Sequence, residues 1–255
     1  MTTRLREPGE FCWINVLAAD IPVAKTFFTG LLDWDWAPMP PYGDMIRVDG
    51  HNMGGLFPST GPGAPPGTKP VIGVMVRITD ADAMAEKVRT LGGKAEPPMD
   101  IGPNGRMVVC HDPSGANFDL WQPKIENSAD MQGNENGAFS WFEVLSNDVP
   151  RDIRFYEQLF DWTSNTMQMG TLGTYTTFGR GTDLIAGMVP IASAPPGSTP
   201  VWSTYFTVTD LDATMKRIAP LGGTLLFGPH EVPGVGRMCG VQAIGLTFFL
   251  MQYVR

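Results

Sequence analysis

The chain has 255 residues, enough for two ordinary domains, and 43% of them are hydrophobic while only 17% are charged. A net charge of -8 leaves no basic footprint for nucleic acid or an anionic membrane surface, and no apolar run approaches the ~20 residues a membrane helix needs. No basic stretch followed by an apolar run opens the sequence, and the three scattered cysteines (Cys12, Cys110, Cys239) suit neither a disulfide framework nor a thiolate zinc site, so the expected setting is the reducing cytoplasm.

In chain order, the first strand-like run is Phe11-Cys12-Trp13-Ile14-Asn15-Val16-Leu17, which leads to Asp20. An Asp here suits a helix N-terminus, because its carboxylate accepts from orphan amides and offsets the helix dipole. The helix that follows carries Val23, Phe27, Phe28, Leu31 and Leu32 on one stripe and runs to Asp33-Trp34. Short runs broken by Gly and Pro read as strands, and a Pro/Gly-rich stretch from Pro58 to Pro70 closes the quarter. A second strand-like run then leads to Asp80 and a helix with Met84, Val88 and Leu91 on one stripe, stopped by Gly92-Gly93.

After the polar segment Lys124 to Gly137 the series repeats at an offset of about 130 residues. Phe139-Ser140-Trp141-Phe142-Glu143-Val144-Leu145 returns to Asp148, and Phe155-Tyr156 with Leu159-Phe160-Asp161-Trp162 returns the helix. Pro65-Pro66-Gly67 matches Pro195-Pro196-Gly197, Thr79-Asp80 matches Thr209-Asp210, and Gly105-Arg106-Met107 matches Gly236-Arg237-Met238. Pro220, just before Leu221-Gly222-Gly223, is expected to end the fourth helix early. Each quarter is thus strand, helix and several strands. The expected fold is α+β, four βαβββ units in two tandem domains at residues 1–124 and 137–255, with a linker at 125–136.

These motifs carry a family resemblance. Trp13…Leu17…Asp20 and Trp141…Leu145…Asp148, each followed by a helix ending in Asp-Trp, resemble the opening of a module of the glyoxalase/bleomycin resistance/dioxygenase (vicinal oxygen chelate) superfamily. His111-Asp112-Pro113-Ser114-Gly115-Ala116-Asn117-Phe118-Asp119-Leu120-Trp121 resembles its closing strand. The tandem form is similar to two-domain glyoxalase-like proteins often labelled hydroxylases. The resemblance implies curved mixed sheets enclosing small-molecule clefts. It also implies a divalent metal held by His on a unit's first strand and Glu or His on later strands. At the first-strand positions this chain has Trp13, Gly73, Trp141 and Ser203. The closing-strand positions hold Asp119 and Phe249, the corresponding first-quarter strand carries Gly54 and Gly55, and His51, His111 and His230 fall at none of these positions. The expectation is no metal and no cofactor.

Strand alternation then sorts the side chains. If Trp13 replaces a cleft-facing ligand, Asn15 and Leu17 share its face, while Cys12, Ile14 and Val16 face the helices. By the same alternation Met75 and Arg77, Asp119 and Trp121, Trp141 and Glu143, Ser203 and Tyr205, and Met251 face clefts. The lining is aromatic and methionine-rich, which suits a small, largely apolar or aromatic molecule held by one or two hydrogen bonds.

The sequence does not choose which units pair. If quarters two and three pair, Glu143, Asp119 and Arg77 share one cleft. Glu143 is the candidate general acid or base, or else the partner of an arginine such as Arg77. Trp13 and Trp141 are either stacking platforms or plugs. Arg106 and Arg237 either bind an anion or anchor loops through backbone carbonyls, and His111 flanks a turn. The functional readings are metal-independent lyase, isomerase or hydratase chemistry at Glu143, ligand sequestration without turnover, and a metal-dependent glyoxalase or extradiol dioxygenase. The expected partner is a small molecule, with no nucleic acid and no membrane, and two fused halves suit either a monomer or a homodimer.

Overall fold

A computed structural model describes residues 6–60, 67–126, 133–169 and 173–254. The first quarter forms β1 (Phe11–Ala18), α1 (Ile21–Leu32), β2 (Asp35–Met39), β3 (Gly43–Val48) and β4 (His51–Pro58). The second forms β5 (Val71–Arg77), α2 (Ala81–Thr90), two short strands β6 (Lys94–Ala95) and β7 (Met99–Asp100), then β8 (Gly105–His111) and β9 (Asn117–Pro123). The third forms β10 (Phe139–Ser146), α3 (Val149–Phe160), β11 (Thr163–Gln168), β12 (Thr174–Arg180) and β13 (Asp183–Pro190). The fourth forms β14 (Trp202–Thr207), α4 (Leu211–Ile218), β15 (Thr224–Val232), β16 (Gly236–Ala243) and β17 (Leu246–Tyr253).

All four helices begin as the sequence predicts. Asp20, Asp80, Asp148 and Asp210 accept from the backbone N–H of Val23, Ala83, Arg151 and Ala213, three residues on. Helix α4 ends at Ile218, two residues before Pro220. Val23 departs from the predicted stripe: it is 49% exposed, because the first turn of α1 projects beyond the core that buries Phe27, Phe28, Leu31 and Leu32.

Quarters pair with their chain neighbours. One sheet runs β2-β3-β4-β1-β5-β9-β8-β6, with β7 also on β8, and the other runs β11-β12-β13-β10-β14-β17-β16-β15. In each, the unit's first strand is parallel to its fourth (β1 with β4, β10 with β13) and antiparallel to the next unit's first (β1 with β5, β10 with β14). Glu143 therefore lies in a different sheet from Asp119 and Arg77, and the pairing of quarters two and three that would join them does not occur. Pro65, Pro66 and residues 127–132 of the predicted linker lie outside the described residues.

The helix-bearing faces meet in one continuous core that spans both halves. Its centre is reciprocal. Trp34, just past α1, donates its indole N–H to the carbonyl of Gly137 at 2.8 Å, and Trp162, just past α3, donates to the carbonyl of Gly9 at 2.9 Å. Phe11 and Phe142 stack between these anchors with ring centroids 4.0 Å apart. The glycine at 137 is required twice: its φ is +86°, and a Cβ there would meet the Leu32 carbonyl oxygen at 2.3 Å.

A buried polar chain also crosses the two halves. Asp112 accepts from the backbone N–H of Gly115 and Ala116 and from the Tyr156 hydroxyl, and that hydroxyl in turn accepts from the Trp202 indole at 2.9 Å. Tyr156→Phe leaves the Trp202 N–H unpartnered and removes one donor from Asp112. We expect a loss of about 1–3 kcal/mol in urea unfolding, the desolvation penalty of a stranded buried group.

Candidate ligand-binding clefts

The helix-free face of the first sheet is centred on β1, β5 and β9. Register sets Trp13 opposite Met75, Asn15 opposite Gly73, Met75 beside Asp119, and Arg77 beside Trp121. Trp13, Asn15, Met75, Asp119 and Trp121 thus share one cleft. Asp119 is only 7% exposed. Burial pushes its carboxyl up to about 7, and a hydrogen bond from the Asn15 amide partly opposes that shift. The same amide approaches the Met75 sulfur at 3.3 Å. Phe57 folds back over Gly55, where a Cβ would meet its ring at 2.4 Å.

Two expectations for this cleft need correction. Cys12 does not face the helices: it packs with Met75, Trp121 and Trp13. The cause is a β-bulge between Phe11 and Trp13, which shifts the register against β5 and breaks strict alternation. Arg77 is not a partner for Glu143. Its guanidinium pairs with Glu126 at 2.7 Å.

The helix-free face of the second sheet repeats the register with different residues. Trp141 lies opposite Tyr205, Glu143 opposite Ser203, Tyr205 beside Phe249, and Thr207 beside Met251. The Tyr205 hydroxyl donates to Glu143 Oε1 at 3.0 Å, and the Tyr175 hydroxyl also hydrogen-bonds the carboxylate. The Trp141 indole N–H donates to Tyr175 Oη at 3.0 Å. Tyr205 stacks on Phe249 with centroids 4.6 Å apart, and Phe227 lies 6.0 Å from Phe249 on its other flank.

Glu143 keeps partial solvent access, yet the packed aromatic surroundings raise its pKa despite the two phenol donors. Burial also raises the phenols of Tyr175 and Tyr205, so both stay protonated and act as donors.

The sequence reading missed Tyr175, Phe57 and Phe227. The signal for each is a glycine inside a strand, which marks close approach of another group. A Cβ at Gly187 would meet Tyr175 Oη at 2.1 Å, and one at Gly240 would meet the Phe227 ring at 2.5 Å. The clefts also differ by a transposition of charge: Asn15 stands where the second cleft has Glu143, and Asp119 where it has Phe249.

The remaining candidates are structural. Arg106 and Arg237 do not anchor loops through carbonyls. Each forms a two-pronged pair with an Asp in the first turn of a helix, Asp82 and Asp212. His111 ends β8, opposite Lys94, directly before the turn closed by Asp112.

Comparison with known proteins places this architecture. The "Putative glyoxylase CFP32" of Mycobacterium tuberculosis is 32% identical over 231 residues, 88% of this chain and 87% of that protein. The chain belongs to the glyoxalase/bleomycin resistance protein/dioxygenase superfamily. Residues 138–240 match the superfamily's own sequence pattern. The "Anthracycline biosynthesis protein DnrV" of Streptomyces peucetius is 28% identical over 267 residues, 96% of this chain and 94% of that one. Among solved structures, a Mn(II)-bound glyoxalase from Novosphingobium aromaticivorans superposes with a TM-score of 0.68 at 13% identity, over 100% of this chain and 84% of that one. Homoprotocatechuate 2,3-dioxygenase from Brevibacterium fuscum superposes with a TM-score of 0.67 at 14% identity, over 100% and 83%. These structures share the fold.

The superfamily's divalent metal does not fit the donors of this member. Among the described residues no three His, Cys, Asp or Glu side chains gather to hold an ion. Asp119 is flanked by an amide and a thioether, and Glu143 by two phenols. A lone carboxylate among neutral partners is a poor site for manganese or iron.

Asp119 titrates higher in the folded than in the unfolded chain. Its burial is therefore without cost below about pH 4 and destabilises as pH rises through about 7. Asp119→Asn is expected to raise unfolding stability at pH 8 by on the order of 2–4 kcal/mol and to leave it unchanged at pH 4. Paired urea melts at the two pH values check this.

Proposed function

We propose that this superfamily member binds a small, largely apolar or aromatic organic molecule on its helix-free faces. In the second cleft Glu143 acts on it as a metal-independent general acid or base. One observation carries the reading: a half-buried glutamate lies among Trp141, Tyr205, Tyr175 and Phe249, with two phenols donating to its carboxylate and no cation pairing with it among the described residues. The phenols hold the carboxylate in place and leave its remaining lone pairs to a ligand proton. The aromatic walls supply flat apolar area, with Trp141 as platform. The raised pKa brings Glu143 closer to the working range of an acid or base near neutrality. Candidate contacts are Trp141, Ser203, Tyr205 and Met251 in this cleft, and Trp13, Asn15, Met75, Asp119 and Trp121 in the first. The relatives named for anthracycline biosynthesis support a cyclic organic ligand.

A second reading, sequestration without turnover, is favoured by the same phenols, because Tyr175 and Tyr205 already satisfy part of Glu143. The proposed domain division at 1–124 and 137–255 gives each function its own sheet.

1-Naphthol serves as a neutral aromatic probe, read by tryptophan fluorescence. Trp141→Leu should weaken its binding roughly tenfold, the loss of about 1.4 kcal/mol of stacking and contact area. Glu143→Gln should keep that affinity within a few-fold. In assays of acid/base turnover on ring-bearing substrates, Glu143→Gln should lower kcat by roughly 10²–10⁴. Retained turnover in Glu143→Gln would remove the acid/base role, and binding without turnover in the wild type selects sequestration.

A further inference from the structure

The first cleft holds a carboxylate that the chemistry at Glu143 does not use. Asp119 is 7% exposed, and among the described residues its side-chain hydrogen-bond partner is the neutral Asn15 amide. No lysine, arginine or histidine among the described residues pairs with it, since Arg77, on the adjoining strand, is held by Glu126. A buried carboxylate is normally paired with a cation or surrounded by donors, because its desolvation otherwise exceeds what one amide returns. Here the neighbours are instead apolar: Met75 lies beside it on β5, Trp121 follows two residues on, and Trp13 lies opposite Met75 on β1.

Space for a counter-ion lies over Gly73. A Cβ built there would sit in ordinary contact, 3.6 Å from the Asn15 carbonyl oxygen and 3.8 Å from Asp119 Oδ2, so the missing side chain leaves a methyl-sized gap beside that oxygen. The second cleft carries Ser203 at this register position, and its carboxylate has two phenol donors. The pairing of an under-satisfied carboxylate with electron-rich ring faces is the chemistry that recognises an organic cation. The ammonium takes the carboxylate while its neighbouring carbons and ring lie on the indoles.

We propose that the first cleft is a binding site for a protonated aromatic amine, with Asp119 as its counter-ion, the space over Gly73 as the seat of the ammonium, and Trp13 as a ring contact. This rests on the ligand-binding reading of the cleft and adds the class of ligand. It makes the two clefts selective for different molecules: a cation here, a neutral or acidic ring against Glu143.

The test uses the intact chain, 2-phenylethylamine and its neutral isostere 2-phenylethanol, with calorimetric titration at pH 8. At that pH the amine is protonated, and the ammonium draws Asp119 into its charged form. The other titratable groups on β1, β5 and β8 are Cys12, Arg77, already paired with Glu126, Arg106, already paired with Asp82, Cys110, whose thiol burial keeps protonated, and His111 at the far end of β8. The amine is expected to bind at least about tenfold more tightly than the alcohol. Asp119→Asn, which preserves shape, should abolish that preference, and so should Gly73→Val, which leaves the carboxylate intact but fills the seat. Glu143→Gln should leave the preference unchanged. Equal affinity for amine and alcohol in the wild type overturns the cation assignment while leaving a ligand-binding cleft. A preference that survives Asp119→Asn or Gly73→Val, or that disappears in Glu143→Gln, overturns the placement. Failure of both compounds to bind overturns the inference together with the ligand-binding reading of this cleft.

Discussion

The structure depends on a reciprocal bond between its halves. A tryptophan at the end of each half's first helix donates its indole N–H to a glycine carbonyl just before the other half's first strand. Each of these hydrogen bonds is buried, so each must be made, and each fixes where a helix end meets the other half. Phe11 of one half stacks on Phe142 of the other, so the two helix-bearing faces also meet ring on ring. The helix-free faces are thereby turned away from the common core.

On both faces, carboxylates sit in apolar surroundings with neutral donors rather than cations. That arrangement reverses the usual logic of a buried acid. An arginine would hold the pKa down and make the residue a structural strut, as Asp82 and Asp212 are for Arg106 and Arg237. An amide or phenol positions the carboxylate without neutralising it. The solvated pairs on the helix side and the unpaired acids on the cleft side separate scaffold from site within one sheet.

Much of this was legible in the sequence. The duplication gave the four units, the four Asp residues gave the helix starts, and alternation placed Trp13, Asn15, Met75, Trp141, Glu143 and Tyr205 on the faces they occupy. Two kinds of information were hidden. Unit pairing is made by hydrogen bonds between the first strands of two units, β1 with β5 and β10 with β14, and the backbone edge that each strand offers is the same whatever its side chains. Cys12 was misplaced because a one-residue bulge reverses the parity of a strand and leaves no mark in composition. Tyr175 was overlooked because its role comes from reaching across β13 at Gly187 to Glu143, a contact that depends on strand register and on the absence of a side chain at one position.

The covalent joining of the halves has a consequence for how the clefts can diverge. In a symmetric dimer of identical half-length chains, any substitution would appear in both clefts, and a carboxylate gained in one would be gained in the other. Here Asn15 faces one cleft and Glu143 the other, Asp119 one and Phe249 the other, within a register that is otherwise the same. Within one chain the packing keeps the symmetry of form while each half varies by itself, so one scaffold carries two clefts whose carboxylates stand in different places.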